Sequence, residues 1–236
     1  MNKTIKAIFK KLNQLKVFIL KLIMSAFQIS LMLIILYRVF PVYITPLPVI
    51  RLFEQFGSNK ELRLKKDWVS IDNLGDNICK AAIVSEDLRF FSHFGFDFEQ
   101  IYESIKNWFN KGKKLRGAST ISQQTAKNLF FSPKRSWIRK FLEAYITICI
   151  EVFWNKKRIL EVYLNIIEMG DGIYGAEAAA EYYFDKPAIK LTKHEAAIIV
   201  ACFPNPRRWS PNKSSIFTRR KQAVILRYID TVHLPW

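Results

Sequence analysis

At 236 residues, the chain is long enough for one good-sized domain with appendages. Half of its residues are hydrophobic and 24% are charged, a composition that excludes a disordered chain. The formal net charge of +17 points to an anionic partner, which could be nucleic acid, lipid headgroups or a phosphorylated substrate.

A basic tail and an apolar run open the chain. Residues 1–21 carry six lysines and no acidic residue, and we interpret them as a cytoplasmic tail. Residues 22–40 are predicted to form a transmembrane helix whose uncharged core lies between Lys21 and Arg38. That core would be about 24 Å long at roughly 1.5 Å per residue, and snorkelling of the two flanking cations would extend it toward a span of about 30 Å.

The sequence around the apolar run favours an uncleaved anchor over a signal peptide or a buried core helix. No A-x-A-like cleavage site follows, and the run is long for the hydrophobic part of a signal peptide. Because the lysine-rich side of a span stays in the cytoplasm, the rest of the chain is expected to face outward. The expected location is the cell inner (cytoplasmic) membrane, crossed once, with the main domain in the periplasm of a Gram-negative cell.

The remainder predicts a connecting segment and one mainly α domain. Residues 41–67 are interpreted as a linker, with three prolines early and a charged stretch late. In the main domain, residues 68–236, apolar residues recur at helical spacing and strand signals are few. Helices are predicted over residues 73–87, 98–109, 137–153, 156–166, 176–183 and 192–202.

The first group of residues with catalytic potential ends the helix predicted over 73–87. Glu86 and Asp87 follow an apolar run, and Arg89, two phenylalanines and His93 come after them. A carboxylate at the edge of an apolar environment suits a general base, and Arg89 could hold a phosphate. The alternative is a solvated helix terminus with His93 in a local hydrogen bond.

A small polar block over residues 117–128 forms the second group. Ser119 or Thr120 can cap a helix whose first turns carry two glutamines and Lys127. A helix N-terminus with free N–H groups and a nearby lysine is a natural anion site. An ordinary capped helix with an exposed polar face is the alternative.

The third group is basic and contains one acid. Arg135 is followed by Arg139, Lys140 and Glu143, and Ser136 can cap a helix that carries the last three. Arg139 and Glu143 are four residues apart and would share a face of that helix. A surface ion pair worth a few tenths of a kcal/mol is the alternative.

Together these blocks resemble the membrane-linked peptidoglycan glycosyltransferases, including the transglycosylase domains of bifunctional penicillin-binding proteins. Three motifs of that family are matched by Glu86, Asp87, Phe90, His93 and Gly95, by Gly117, Ser119, Thr120, Ile121, Gln123, Gln124, Lys127 and Asn128, and by Arg139, Lys140 and Glu143. Two further motifs resemble stretches beginning at Ile159 and Leu191. The order and spacing hold over roughly residues 70–212, which makes the resemblance specific, although Leu142 stands where some relatives carry a basic residue.

This resemblance implies a fold and a reaction. The fold is mainly α, with a lysozyme-like helical lobe and a smaller membrane-proximal jaw lobe after one transmembrane helix. The reaction is the polymerisation of lipid II, a disaccharide-pentapeptide on a polyprenyl diphosphate, into linear glycan strands for the cell wall. The step inverts the anomeric carbon and releases polyprenyl diphosphate. Because no transpeptidase region follows before Trp236, the chain is expected to resemble the monofunctional type.

The resemblance also implies residue roles. Glu86 would be the general base on the acceptor sugar's 4-hydroxyl, and Glu143 would orient cations or assist departure of the diphosphate. The implied substrate-binding residues are Asp87, Arg89, His93, Ser119, Thr120, Gln123, Gln124, Lys127, Asn128, Arg135, Arg139 and Lys140. A divalent cation, Mg²⁺ or Mn²⁺, could assist at the diphosphate, but the sequence offers no set of metal ligands. The expected partners are lipid II, the growing strand, membrane lipids and cell division or elongation proteins, and nucleic acid is not expected.

The segment from Phe98 to Arg116 has an apolar face and a basic end, a pattern typical of helices in a membrane interface. We consider two hypotheses for it: contact with the outer leaflet, where it would guide the lipid tail, or packing in the core.

Two rival functions remain open at this point. A lysozyme-like hydrolase or lytic transglycosylase shares a helical lobe and a catalytic glutamate, but glycan cleavage releases no diphosphate and needs no basic cluster. A basic scaffold or nucleic-acid-binding protein would lack turnover, and the sequence contains no helix-turn-helix or zinc-finger pattern.

Overall fold

The computed structural model describes residues 3–57, 62–111, 119–134 and 136–236, apart from the side chains of residues 3–8 and 111. The chain divides into two compact units, Met1–Phe40 and Pro41–Trp236. Helix accounts for 67% of the structure and strands are few, so the predicted mainly α fold is confirmed. Arg135 and the basic residues at 113, 114 and 116 lie outside the described residues.

The first unit is one continuous helix, α1 (Lys3–Tyr37), with no break between the predicted tail and the predicted span. Its stretch Phe9–Tyr37 is apolar enough to cross a membrane and, at 29 residues, would reach about 44 Å at roughly 1.5 Å per residue. Only 6% of its most apolar window is buried. An apolar helix that leaves its side chains exposed suits a lipid environment better than a protein core.

The segment predicted as a linker, residues 41–67, is partly ordered secondary structure. Helix α2 (Pro46–Phe56) begins after Thr45, with proline in its first turn, where a missing N–H costs nothing. Strand β1 (Lys65–Lys66) follows. The Lys66 ammonium donates to the carbonyls of Val42 (2.9 Å) and Tyr43 (2.7 Å), which fixes the start of the second unit onto the strand.

A small three-stranded sheet has the order β1–β3–β2. Strand β3 (Ile173–Tyr174) pairs parallel with β1 and antiparallel with β2 (Glu168–Gly170). Gly172 in the β2–β3 turn has φ +74°, and a Cβ there would lie 2.3 Å from the Arg63 carbonyl oxygen. The close approach of the two chains therefore requires glycine.

The remaining elements are helices. They are α3 (Ile71–Leu74), α4 (Asp76–Glu86), α5 (Phe98–Lys111), α6 (Ile121–Phe130), α7 (Trp137–Phe153), α8 (Lys156–Ile166), α9 (Ala176–Phe184), α10 (Lys193–Ala201) and α11 (Ile216–Tyr228), with short 3₁₀ helices at Ala188–Lys190 and Ile229–Thr231. The helix predicted over 73–87 is interrupted at Gly75, whose φ of +78° ends α3 before α4 begins. The predicted bounds of α7 and α8 are confirmed.

Side-chain caps fix where several helices begin. Ser136 accepts from the Arg139 N–H at the start of α7, and capping boxes open α6 and α10. The box on α6 joins Thr120 with Gln123, and the box on α10 joins Thr192 with Glu195. These local bonds satisfy N–H groups that a helix cannot pair internally, so the sequence could predict them.

Two groups of helices carry the core of the second unit. Helices α4, α10 and α11 pack together, and α6 packs on α7 and α8, with α2 also against α6. Fully buried side chains include Ile78 on α4, Tyr163 on α8 and Ile199 on α10. The C-terminus of α4, which carries Glu86, meets the N-terminus of α6, and Glu143 lies on α7.

Candidate active site

Two neighbouring cavities lie in the second unit and share Ser119 and Lys127 as lining residues. The first, about 640 Å³, contains Glu86 and is called the Glu86 cavity. The second, about 600 Å³, contains Glu143 and is called the Glu143 cavity. The two predicted catalytic glutamates therefore lie in adjoining cavities, which are together called the groove.

Glu86 is the last residue of α4, and its side chain is 18% exposed toward the Glu86 cavity. Its Oε1 accepts from the Ser85 hydroxyl at 2.7 Å and from the Lys221 ammonium at 3.1 Å. Its Oε2 accepts from the Gln124 side-chain amide at 3.2 Å. These donors orient both carboxylate oxygens while the group stays reachable from the groove.

Gln124 connects Glu86 to the core of the domain. Its side-chain oxygen accepts from the Tyr163 hydroxyl at 3.3 Å, which leaves its amide to donate to Glu86. Burial, followed by the charges of Glu86 and Asp87, raises the pKa of Tyr163 well above its usual value. Tyr163 is therefore a protonated donor, and this fixes the orientation of the Gln124 amide.

Asp87, the next residue, lies in a different environment. Its side chain is 2% exposed, and its Oδ2 accepts from the backbone N–H of Ile121, the first residue of α6, at 2.9 Å. His93 Nε2 lies 2.9 Å from Oδ1, and the His93 side chain is 6% exposed. These two residues were predicted to bind substrate. The structure places both side chains in the interior, where Asp87 holds the start of α6 and His93 lies against Asp87.

Thr120 and Gln123 also serve the start of α6. Besides their capping box, the Thr120 hydroxyl donates to the Gly95 carbonyl at 2.6 Å, and both residues are buried. Neither lines the two cavities. Of the polar block predicted to bind substrate, Ser119, Gln124, Lys127 and Asn128 reach the groove.

The Glu143 cavity is strongly cationic. Among the described residues, four cations and one carboxylate line it, namely Arg51, Lys127, Arg139, Lys140 and Glu143. Glu143 is 3% exposed, and its Oε1 accepts from the Lys140 ammonium at 2.6 Å. Arg139 donates to the Ser132 carbonyl at 3.3 Å. This excess of positive charge at a concave site suits a multiply charged anion.

Lys127 belongs to both cavities and is half-buried. Burial lowers the pKa of Lys127; Arg139 and Lys140 lower it further, while Glu143 and Glu86 oppose the shift. A bound anion would supply the missing counter-charge and favour the protonated form. An anion bound at the junction of the two cavities would therefore raise the pKa of Lys127.

Arg89 lies away from the groove. It pairs with Glu99, and its Nε lies 3.8 Å from Asp97, so its charge is used at the start of α5. It lines neither cavity. Arg135, predicted to bind substrate, lies outside the described residues.

Two cationic groove residues were not predicted from the sequence. Lys221 on α11 reaches Glu86 from 135 residues further along the chain, and Arg51 comes from the segment interpreted as a linker. A lysine in a basic sequence carries no local signal of such a contact. The amphipathic pattern of Pro46–Phe56 could have predicted α2, but not its position against α6.

The described residues do not form a set of metal ligands. Within the described part of the chain, no group of three or more His, Cys, Asp or Glu side chains is placed to hold a metal ion. Glu143 is surrounded by cations, and Asp87 is engaged with His93 and α6. A divalent cation at the diphosphate stays a prediction.

Comparison with known proteins identifies the family. The family model described as Transglycosylase matches residues 53–230, which include every residue lining the two cavities except Leu47 and Arg51. The chain belongs to the transglycosylase family. The resemblance inferred from five sequence blocks is therefore confirmed, and this transglycosylase places the first three blocks at the two cavities and at the start of α6.

Relatives of this transglycosylase are similar over most of its length. The biosynthetic peptidoglycan transglycosylase of Bacteroides thetaiotaomicron is 48% identical over 211 residues, 89% of this chain and 85% of that protein. The protein of the same name from Bdellovibrio bacteriovorus is 45% identical over 216 residues, 91% of this chain and 86% of the relative. That from Escherichia coli is 52% identical over 161 residues, covering 68% and 66% of the two chains.

Proposed function

We propose that this chain is a peptidoglycan glycosyltransferase that joins lipid II to a growing glycan strand by single displacement. The observation that carries the proposal is the groove itself, in which a reachable glutamate and a cationic cavity adjoin at Ser119 and Lys127. One cavity suits deprotonation of a hydroxyl, and the other suits a departing diphosphate.

The acceptor is assigned to the Glu86 cavity. Glu86 takes the proton from the acceptor sugar's 4-hydroxyl, and that oxygen attacks the anomeric carbon of the donor. Lys221 and Gln124 keep the carboxylate pointing into the cavity. Polar side chains on one face of α5 line the same space and are suited to sugar hydroxyl and amide groups; they are Gln100, Glu103, Ser104 and Asn107.

The donor's diphosphate is assigned to the Glu143 cavity. As the bond from the anomeric carbon to the diphosphate breaks, its electron pair remains on the phosphate oxygen, and Lys127, Arg139 and Lys140 stabilise that charge. Glu143 holds the Lys140 ammonium at 2.6 Å and so positions this cation. Attack from one cavity with departure into the other inverts the anomeric carbon.

The cationic cavity also argues against a hydrolase of finished glycan. A glycosidase needs two carboxylates around the scissile bond, and its leaving group is a neutral sugar hydroxyl. In that reaction, the four cations that line this cavity beside one carboxylate would have no anionic group of the substrate to bind. Its charge matches a substrate that carries a diphosphate.

The decisive experiment compares Glu86→Gln with the unaltered protein on labelled lipid II. We expect polymer formation to fall by about 10²- to 10⁴-fold, the usual contribution of a general base. Asp76→Asn is the matched control because Asp76 begins the same helix, is 71% exposed and lines neither cavity. Polymer formation by a folded Glu86→Gln protein at the control's rate would refute the assignment.

We further propose a location and a membrane contact. Helix α1 would anchor the chain in the inner membrane with the second unit in the periplasm, as the lysine-rich start suggests. On α5, Phe98, Trp108 and Phe109 are exposed by 72%, 46% and 72%, which favours contact with the outer leaflet over packing in a core. Lipid II, whose tail lies in that leaflet, would then reach the groove beside the polar face of α5.

A further inference from the structure

Arg51 brings a fourth cation to the Glu143 cavity. It lies on α2, which packs against α6, and it lines the cavity together with Lys127, Arg139 and Lys140. Its side chain is 19% exposed, so it belongs to the wall of the cavity more than to the outer surface. The three other cations come from α6 and α7, so Arg51 approaches from a separate element.

Two carboxylates from different elements hold the Arg51 guanidinium. Its Nη1 donates to Glu54 Oε2 at 2.7 Å, one turn along α2. Its Nε lies 3.7 Å from Oε2 of Glu168, which is on β2 and has a side chain only 7% exposed. Supports from a helix and from the sheet fix the orientation of the planar group before any ligand arrives.

The guanidinium still has donors to offer. Arginine carries five N–H donors, and the hydrogen bond to Glu54 uses only one of the two on Nη1. Burial opposes its charge, but the hydrogen bond with Glu54 and the charges of Glu168 and Glu54 outweigh that effect and raise the pKa of Arg51. A permanently charged, planar fork at a cavity wall is the arrangement that binds phosphate oxygens in two places.

We propose that Arg51 is a further diphosphate-binding residue of this enzyme, which reaches the substrate's phosphate oxygens from α2 while the other cations reach them from α6 and α7. The inference rests on the proposed function for its substrate, but its chemistry requires only a diphosphate. In the absence of an anion, Glu54 and Glu168 balance the charge of Arg51. When the diphosphate enters, the free donors of the same guanidinium bind it.

Arg207 provides a matched control. It belongs to the same charge network, since its Nη1 lies 3.6 Å from Glu54 Oε2 and its Nε lies 3.4 Å from Asp171. It does not line the Glu143 cavity. A change at Arg207 therefore disturbs the network around Glu54 without removing a donor from the cavity.

The experiment measures binding of inorganic pyrophosphate and of farnesyl diphosphate to the full chain in detergent micelles by calorimetry. We expect Arg51→Gln to weaken both ligands about tenfold, as for one charged hydrogen-bond partner. Arg207→Gln should stay within about twofold of the unaltered protein. Arg51→Lys should lie between them because it keeps the charge and loses the fork. Thermal unfolding midpoints identify variants that are not folded.

Three outcomes would overturn the inference. Unchanged pyrophosphate affinity in Arg51→Gln, or in Arg51→Lys if the glutamine variant does not fold, would remove Arg51 from the diphosphate site. An equal loss of pyrophosphate affinity in Arg207→Gln would show that Arg51 acts only by maintaining the charge network around Glu54. A loss for farnesyl diphosphate alone would place Arg51 beside the lipid chain. Since these titrations need no polymerisation, failure of the proposed function in the Glu86→Gln assay would remain a separate result.

Discussion

The two cavities of the groove hold the same type of acidic residue in opposite settings. Glu86 is 18% exposed and is held by a hydroxyl, an amide and one ammonium. Glu143 is 3% exposed and lies among four cations. A carboxylate that must accept a proton has to be reachable by the substrate, whereas one that positions cations does not.

This contrast indicates how one groove can handle two opposite charges. In the Glu86 cavity the protein brings a negative group to a neutral hydroxyl. In the Glu143 cavity it brings positive groups to an anion, and Glu143 prevents them from repelling each other apart. Lys127 stands at the boundary and interacts with both glutamates. The different charges of the two cavities, more than either glutamate alone, determine which cavity receives the hydroxyl and which receives the diphosphate.

After Glu86→Gln, the largest effect expected from this comparison is that of Glu143→Gln. Loss of the buried carboxylate leaves Lys140 without its partner, so the cations lose their positions and we expect polymer formation to fall about 10²-fold. Pyrophosphate affinity should not fall, because an acid has been removed from an anion site. Polymerisation rates and pyrophosphate titration of the same preparation check both statements.

Glu151→Gln is the control for Glu143→Gln. Glu151 is also a buried carboxylate of α7 and is paired with Lys156 at 2.7 Å, but it lines neither cavity. It should lower the thermal midpoint while the folded enzyme keeps its pyrophosphate affinity and its rate within about threefold. If both variants lost activity equally at equal stability, Glu143 would have no role in the reaction beyond that of any buried carboxylate of α7.

A smaller effect, a loss of pyrophosphate affinity of about tenfold, is expected at Lys127 as pH rises. Because burial lowers the pKa of Lys127 below its usual value of 10.5, the ammonium loses its proton at a lower pH than an ordinary lysine. Affinity for an anion is full below that pKa and declines as pH rises through it. Lys127→Arg should abolish this decline, since a guanidinium does not titrate there.

The ratio of pyrophosphate affinities of the unaltered protein and Lys127→Arg is the quantity to follow. Titration of pyrophosphate itself cancels in that ratio. It should fall between neutral and alkaline pH, and a ratio that is constant over the range would show that Lys127 does not face the anion.

The smallest effect concerns the outer face of α5. In residues 41–236 without the anchor, Trp108→Ser with Phe109→Ser should weaken liposome binding roughly fivefold, because two exposed rings no longer enter the lipid interface. The pyrophosphate affinity of the distant cavity should be unaffected. Ile216→Ser with Phe217→Ser, an exposed apolar pair on α11, is the control. Unchanged liposome binding by the folded α5 variant would contradict membrane contact.

The sequence was sufficient where the physics is local. Ser136 and Thr192 could be identified as helix caps because each bonds to an N–H only three residues away. Helical spacing of apolar residues predicted the bounds of α7 and α8 for the same reason. Five motif blocks in order were enough to identify the family, and the match over residues 53–230 confirms it.

The sequence was insufficient where distant segments meet or where backbone direction decides. Lys221 and Arg51 reach the groove through packing of α11 on α4 and of α2 on α6, which no local pattern encodes. Asp87 and His93 belong to the motif block of Glu86, but their side chains turn inward. Asp87 holds the start of α6, and His93 pairs with Asp87. Charge and chemistry alone could not separate a substrate contact from an internal support.

The end of α4 has a consequence of its own. The backbone leaves the helix between two neighbouring acids: Glu86 is the last helical residue, and Asp87 has φ −164° and ψ 72°. That single change of direction sends one carboxylate to the groove and the other to the interior. The length of α4, 11 residues counted from the turn at Gly75, therefore determines which residue stands at this change of direction. Deleting one residue from α4 would bring Asp87 to the groove position and Leu88 to the interior, whereas adding one would bring Ser85 to the groove position and Glu86 to the interior.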